Sequence, residues 1–185
     1  MPHYRRWRME GGVFFFTLVT HRRMRIFHLP WARRLLRESI ARMRERHPVK
    51  VDAIVLLPDH LHTLWRLPKG ETDYSTRIAV MKKRFTDTYL AHGGQEGATT
   101  ASRRKHRLRG VWEKRFYEHT IRDSADYARH FDYVHWNPVK HGYVKRAVEW
   151  PWSTFHRYLR GGEYQSDWAG DAVVPGGANV EPDDW

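Results

Sequence analysis

The chain has 185 residues, the length of one domain or of one domain with a tail. It contains no cysteine, which excludes a disulfide framework and a thiolate metal site. Lys and Arg number 33 against 21 Asp and Glu, a net charge of +12, and aromatic residues make up 14% of the chain. A basic, aromatic-rich body suits a phosphate backbone and exposed bases, although a basic surface can also serve solubility alone. The longest apolar runs, 13–19 and 53–57, fall far short of the ~20 residues of a membrane span. With no signal-peptide core at the N-terminus, a cytoplasmic location is expected and no membrane partner.

In chain order, Val13–Thr20 is rich in β-formers and reads as a buried strand. Pro30 opens a helix with Trp31, Leu35, Leu36, Ile40 and Met43 on one face, which His47-Pro48 stops. Val49–Leu57 and His60–Leu67 read as strands joined tightly at Pro58-Asp59. Asp73 or Ser75 caps a second helix, with Ile78, Met81, Phe85 and Tyr89 as its apolar stripe. His92–Gly110 is expected as a loop that stays mobile until an anion binds, and Val111–Ile121 as a fourth strand. Asp123 or Ser124 caps a third helix to about Asn137, and a short helix ends near Arg160. The order matches a ferredoxin-like split β-α-β fold: an α+β domain with an antiparallel sheet, helices packed on one face, and a third helix carrying Tyr133, the other face being either a site or covered by that helix. Residues 1–162 form the expected domain. Residues 163–185 carry Glu163, Asp167, Asp171, Glu181, Asp183 and Asp184 and no Lys or Arg, and read as an acidic, flexible, irregular tail.

His60 and His62 flank Leu61 in a strand, so both imidazoles point to one face. Adjacent imidazoles are natural metal ligands, yet the spacing equally fits two surface histidines in a chain with 13 His. Tyr133 and Asn137 stand four apart on the third helix and share a face. An Asn carbonyl can complete a metal site begun by two histidines, placing Tyr133 beside the ion. Taken alone, Tyr133 also reads as a half-buried tyrosine and Asn137 as a cap before Pro138. Together the residues suggest attack of the Tyr133 oxygen on a phosphodiester polarised by a divalent cation, giving a covalent phosphotyrosine. Tyr117, Tyr127 and Tyr143 are rivals, but Tyr127 has Phe131 where a ligand would stand and Tyr143 follows a glycine. Basic residues Lys82, Lys83 and Arg84, with Arg103, Arg104, Lys105 and Arg107, are expected to bind phosphates, and Tyr4, Arg5 and Arg6 form an arm that can reach DNA. His119, His130 and His135 read as DNA contacts or surface residues.

Several stretches together resemble the REP-associated tyrosine transposases, relatives of the single-strand DNA transposases with a His-hydrophobe-His motif. They are Tyr4-Arg5-Arg6, Phe14–Thr17 with Thr20–Arg23, Val55–His62, Trp112–His119, Tyr133–Gly142 and Trp150–Ser153, in family order up to about residue 160. The resemblance implies His60, His62 and Asn137 as metal ligands, Tyr133 as nucleophile, and magnesium or manganese as the ion. It also implies cleavage and rejoining of single-stranded DNA beside REP-type hairpins through a 5′-phosphotyrosine, by a chain acting as a monomer rather than as the homodimer of related insertion-sequence enzymes. A non-catalytic regulator that binds structured single-stranded nucleic acid is the alternative.

Overall fold

The structure is a computed structural model that describes residues 9–106 and 108–170. Its strands are β1 (Val13–Val19), β2 (Lys50–Leu56), β3 (His60–Arg66) and β4 (Tyr117–Thr120). Its helices are α1 (Pro30–Arg46), α2 (Tyr74–Ala91), α3 (Ala101–Lys105), α4 (Ser124–Lys140) and α5 (Phe155–Gly161). The strands form one sheet in the order β2-β3-β1-β4, with every pairing antiparallel. This is the expected ferredoxin-like arrangement. No helix among the described residues is long and apolar enough to cross a membrane.

The alternation of β1 explains the layering. Phe14, Phe16 and Leu18 join Leu61 and Trp65 of β3 in a core closed by α1 and α2. Val13 and Phe15 turn the other way, with Ala53, Val55 and Leu64, and meet Tyr133 and Val134 of α4. A strand with helices on both faces is apolar at nearly every position, and all seven residues of β1 are buried. The third helix therefore covers the second face. On β3, the parity that sends Leu61 and Trp65 to the first core sends His60, His62 and Leu64 toward α4.

Three expectations change. The fourth strand is shorter than 111–121: Trp112 makes only an isolated bridge to Thr20, and β4 begins at Tyr117. The segment 92–110 contains α3 and is tied down rather than open. Arg109 pairs with Glu96 at 2.8 Å, Gly97 N–H donates to Gly110 at 2.8 Å, and Arg103 donates to Trp112 O at 2.8 Å. Finally, α4 runs past Asn137 through Pro138 to Lys140. Proline disfavours helix at the preceding residue and removes one donor, but Val134, Trp136, Asn137 and Pro138 are all buried here, and packing outweighs that penalty. The helix then ends in a Schellman motif: Tyr143 N–H donates to Pro138 O, Gly142 N–H donates to Val139 O, and Gly142 takes φ +68°.

The expected boundary at Gly162 falls beside a small third core. Tyr164 is buried against Phe155, and Trp168 packs on both. The remainder of the expected tail, 171–185, lies outside the described residues.

Candidate active site

Ring contacts hold the His pair between α4 and the sheet. His60 and His62 are each 1% exposed, with ring centroids 4.9 Å apart. Their Nδ1 atoms are fixed by neighbours: Asp59 Oδ1 lies 2.6 Å from His60 Nδ1, and Thr17 Oγ1 lies 2.8 Å from His62 Nδ1. Thr17 stands directly across from His62 in the β1–β3 register, which is why a threonine there can reach the ring. Burial alone would push the Asp59 carboxyl up, but the hydrogen bond and charge of His60 and the charge of Arg23 hold it below the usual carboxylate range.

The Tyr133 ring packs 5.3 Å from His62, and His141, two turns on, packs 5.4 Å from His60. Asn137 occupies the turn between them on the same helical stripe, so it faces the pair. The three expected ligands are thus brought together. Nε2 of His60 and both amide atoms of Asn137 are buried with no hydrogen bond among the described residues. Leaving such groups unpaired costs about 1–3 kcal/mol each, and a cation removes that cost for the imidazole nitrogen and the amide oxygen. Imidazole nitrogens with one amide oxygen form a donor set that fits a divalent ion.

Tyr133 is 1% exposed, and its oxygen accepts a hydrogen bond from Lys140 Nζ at 3.1 Å. Lys140 was not singled out in the sequence. It stands seven residues after Tyr133, and that two-turn spacing is the signal that could have found it. Among the rivals, burial and then Asp52 push the Tyr127 phenol up to about 12, and burial and then Asp59 raise that of Tyr143.

The expected phosphate-binding residues divide differently. Lys82, Lys83 and Arg84 lie on α2, a helix packed against the opposite face of the sheet from the histidines. Lys82 turns inward: its ammonium donates to Glu113 O at 3.0 Å, and burial lowers it to about 8. Lys83 is exposed and pairs with Asp87, while Arg84 is exposed. On α3, Arg103 spends its guanidinium on Arg109 O, Trp112 O and Glu113, whereas Arg104 and Lys105 are exposed. Tyr4, Arg5, Arg6 and Arg107 lie outside the described residues. Sequence reasoning missed Lys114 and Arg115, which are exposed and line a cleft of about 290 Å³ with Thr17 and Tyr117. That cleft opens beside the threonine that holds His62.

His130 and His135 are buried, and His119 is half-buried. His135 is fully buried between Tyr164 and Thr154, and desolvation lowers it to about 3. His119, Asp126 and His130 place donor atoms within 4.8 Å of one another, a grouping that could hold a metal ion. Here the Asp126 carboxylate already accepts from His119 at 2.8 Å, Arg122 N–H at 3.0 Å and Arg129 at 3.3 Å. The two rings stack at 4.4 Å and 13°, so their in-plane lone pairs do not converge. The group acts as a latch that ties β4 to the first turn of α4. Burial would raise Asp126, but the His119 and Arg122 hydrogen bonds and the histidine charges keep it low. A depressed carboxyl stabilises the fold above its unfolded value, about pH 4, and that contribution is lost as pH falls through the lower folded value. Asp126→Ala is expected to cost about 3 kcal/mol near pH 7. Urea melts of both proteins from pH 7 to pH 2 should converge in acid, and a constant gap would contradict the latch.

No established family model matches the chain. A REP-associated tyrosine transposase of Escherichia coli (strain K12) is 42% identical over 174 residues, covering 94% of each chain. A Haemophilus influenzae protein described under the same family name is 39% identical over 171 residues, covering 92% of this chain and 95% of that one. Among solved structures, a REP-associated tyrosine transposase bound to a REP hairpin superposes with a TM-score of 0.77 at 39% identity over 94% of both chains. Identity of that extent, on the same fold and along nearly the whole length, makes this chain a member of the REP-associated tyrosine transposases, a family of enzymes.

Proposed function

We propose that this chain cuts and rejoins single-stranded DNA beside REP-type hairpins, with Tyr133 as the nucleophile. The observation that carries the reading is the buried pair His60 and His62 packed against Tyr133, whose oxygen is held by a lysine ammonium, with the unsatisfied amide of Asn137 one turn on along α4. The hairpin seen with the solved relative supports the substrate class. His60, His62 and Asn137 would hold magnesium or manganese, and the two imidazoles favour manganese. When bound, the cation supplies Lewis-acid polarisation of the phosphodiester.

The chain's own residues do the rest. Asp59 and Thr17 fix both imidazoles by their Nδ1 atoms, leaving Nε2 for ligation. Lys140 covers the Tyr133 oxygen, so the scissile phosphate must draw that ammonium away to reach it. The cation that held the phenol then faces the phosphate. Tyr133 Oη bonds to phosphorus, the bond from phosphorus to the 3′-oxygen breaks, and the phenolic proton ends on that oxygen as a free 3′-hydroxyl. Reversal with another 3′-hydroxyl reseals the strand and needs no nucleotide cofactor. His62 and Tyr133 meet within one chain, which supports a site that a monomer can complete.

Lys140→Met is expected to slow adduct formation about tenfold to a hundredfold with little change in hairpin affinity, and Lys140→Arg to recover part of it. Single-turnover rates on labelled hairpin DNA read this directly. One observation favours a non-catalytic binder, namely the burial of Tyr133. The deciding experiment is a denaturing gel of wild-type protein with hairpin DNA and manganese. A metal-dependent covalent band supports the transposase reading, and tight binding with no band on any hairpin supports the binder.

A further inference from the structure

A file of aromatic rings runs from solvent to the histidine pair. Trp152 meets Trp150 edge-on at 4.8 Å and 89°, and Trp150 stacks on Tyr143 at 5.4 Å and 27°. Tyr143 lies 6.0 Å from His141, and His141 lies 5.4 Å from His60. Among the described residues only three large hydrophobics are exposed, and two of them, Tyr143 at 39% and Trp152 at 37%, stand on this file. Single exposed aromatics are ordinary. Two joined through a buried third, ending at a catalytic centre, are not accounted for by folding.

The file is rigid. Trp150 Nε1 donates to Leu56 O at 3.0 Å, Leu56 N–H donates to Trp152 O at 2.9 Å, and Ser153 bridges Val55. Residues 150–154 are thereby fastened along the free edge of β2. Tyr143 is fixed by the Schellman turn that ends α4. The surroundings are cationic: the Arg33 guanidinium lies over one face of the Trp152 ring, 4.0 Å from its centroid, and Arg23 and Arg25 act electrostatically on the Tyr143 phenol. Arg33 is itself held by Phe27 O and His28 O.

Flat exposed rings bordered by arginines suit one ligand chemistry, a nucleobase whose attached phosphates lie along the cations. We propose that Trp152 and Tyr143 form a stacking platform for an unpaired base of the DNA strand that enters the His60–Tyr133 site. The proposal rests on the single-strand DNA reading above and adds a subsite to it: the platform grips the unpaired arm, not the hairpin stem.

The test uses the full chain carrying Tyr133→Phe, without divalent metal, so that binding alone is read. The probes are a fluorescein-labelled hairpin with single-stranded arms and the same hairpin with a blunt end. Trp152→Leu and Tyr143→Leu are each expected to weaken the armed hairpin on the order of tenfold and to leave the blunt one within about twofold. Trp152→Phe and Tyr143→Phe should restore most of the arm preference. A 2-aminopurine in the arm should be quenched by the parent protein and less so by the Leu variants. Equal losses on both probes, no loss on either, or no arm preference in the parent would each overturn the platform. The covalent-band experiment with the wild-type chain stands apart. Absence of that band would sink the Tyr133 chemistry, while a selective loss of arm binding would still uphold the platform.

Discussion

Tyr133→Phe is expected to reduce covalent adduct and strand cleavage by at least about a thousandfold while leaving hairpin binding within about twofold. The substitution removes one oxygen and little else. The Phe ring keeps the contacts of the Tyr133 ring with His62 at 5.3 Å and with Phe15 at 5.8 Å. What disappears is the acceptor for Lys140 Nζ, a bond worth about 1–2 kcal/mol at most. The folded protein therefore remains, without the proposed nucleophile. Tyr127 cannot substitute, because its phenol is pushed up to about 12 and it lies beside Asp52 rather than the histidines. A denaturing gel with labelled DNA separates the cases. An adduct that persists in the variant would assign the chemistry to another residue.

The second large effect concerns the donor set, and it has opposite signs in stability and in activity. In the wild-type chain, manganese at about a hundred times its Kd should stabilise the fold by ~2.7 kcal/mol, a rise in Tm of roughly 5–10 °C. Asn137→Leu should remove most of that rise and lower adduct formation at least about a hundredfold. In metal-free buffer the same variant should be more stable than wild type by about 1–2 kcal/mol, since it replaces two buried, unsatisfied amide atoms with apolar surface. His60→Ala should also abolish the metal-induced shift. Scanning calorimetry with and without manganese checks all three, and an undiminished shift in both variants would remove these residues from the metal site.

The elements that carry a clear period were legible in the sequence. The strand at Val13–Val19, the helix from Pro30 and the pair His60 and His62 on one face follow from alternation and capping alone. The shared face of Tyr133 and Asn137 was equally readable, because four residues make one helical turn. Pro138 misled, since local preference argued for a helix end where a buried stripe carried the helix onward. The position of the basic residues was not legible. Charge counts say that cations exist but not which side of a sheet they occupy, and α2 carries Lys82, Lys83 and Arg84 away from the histidines. Lys114 and Arg115, beside the cleft near Thr17, gave no comparable run of charge. Nothing in the spacing of His119 and His130 foretells Asp126 as a shared partner, so the sequence allows them equally as DNA contacts or surface residues.

The separation of the site's halves along the chain has a consequence for synthesis. His60 and His62 leave the ribosome long before Tyr133, Asn137 and Lys140, and only the docking of α4 on the second face of the sheet unites them. A nascent chain can build the first core, with α1 and α2 in place, while it still has no means of cutting DNA. On the proposed mechanism the chain is thus harmless to the nucleic acid around it until the last major helix closes, and strand-cutting competence arrives in the same step as completion of the fold.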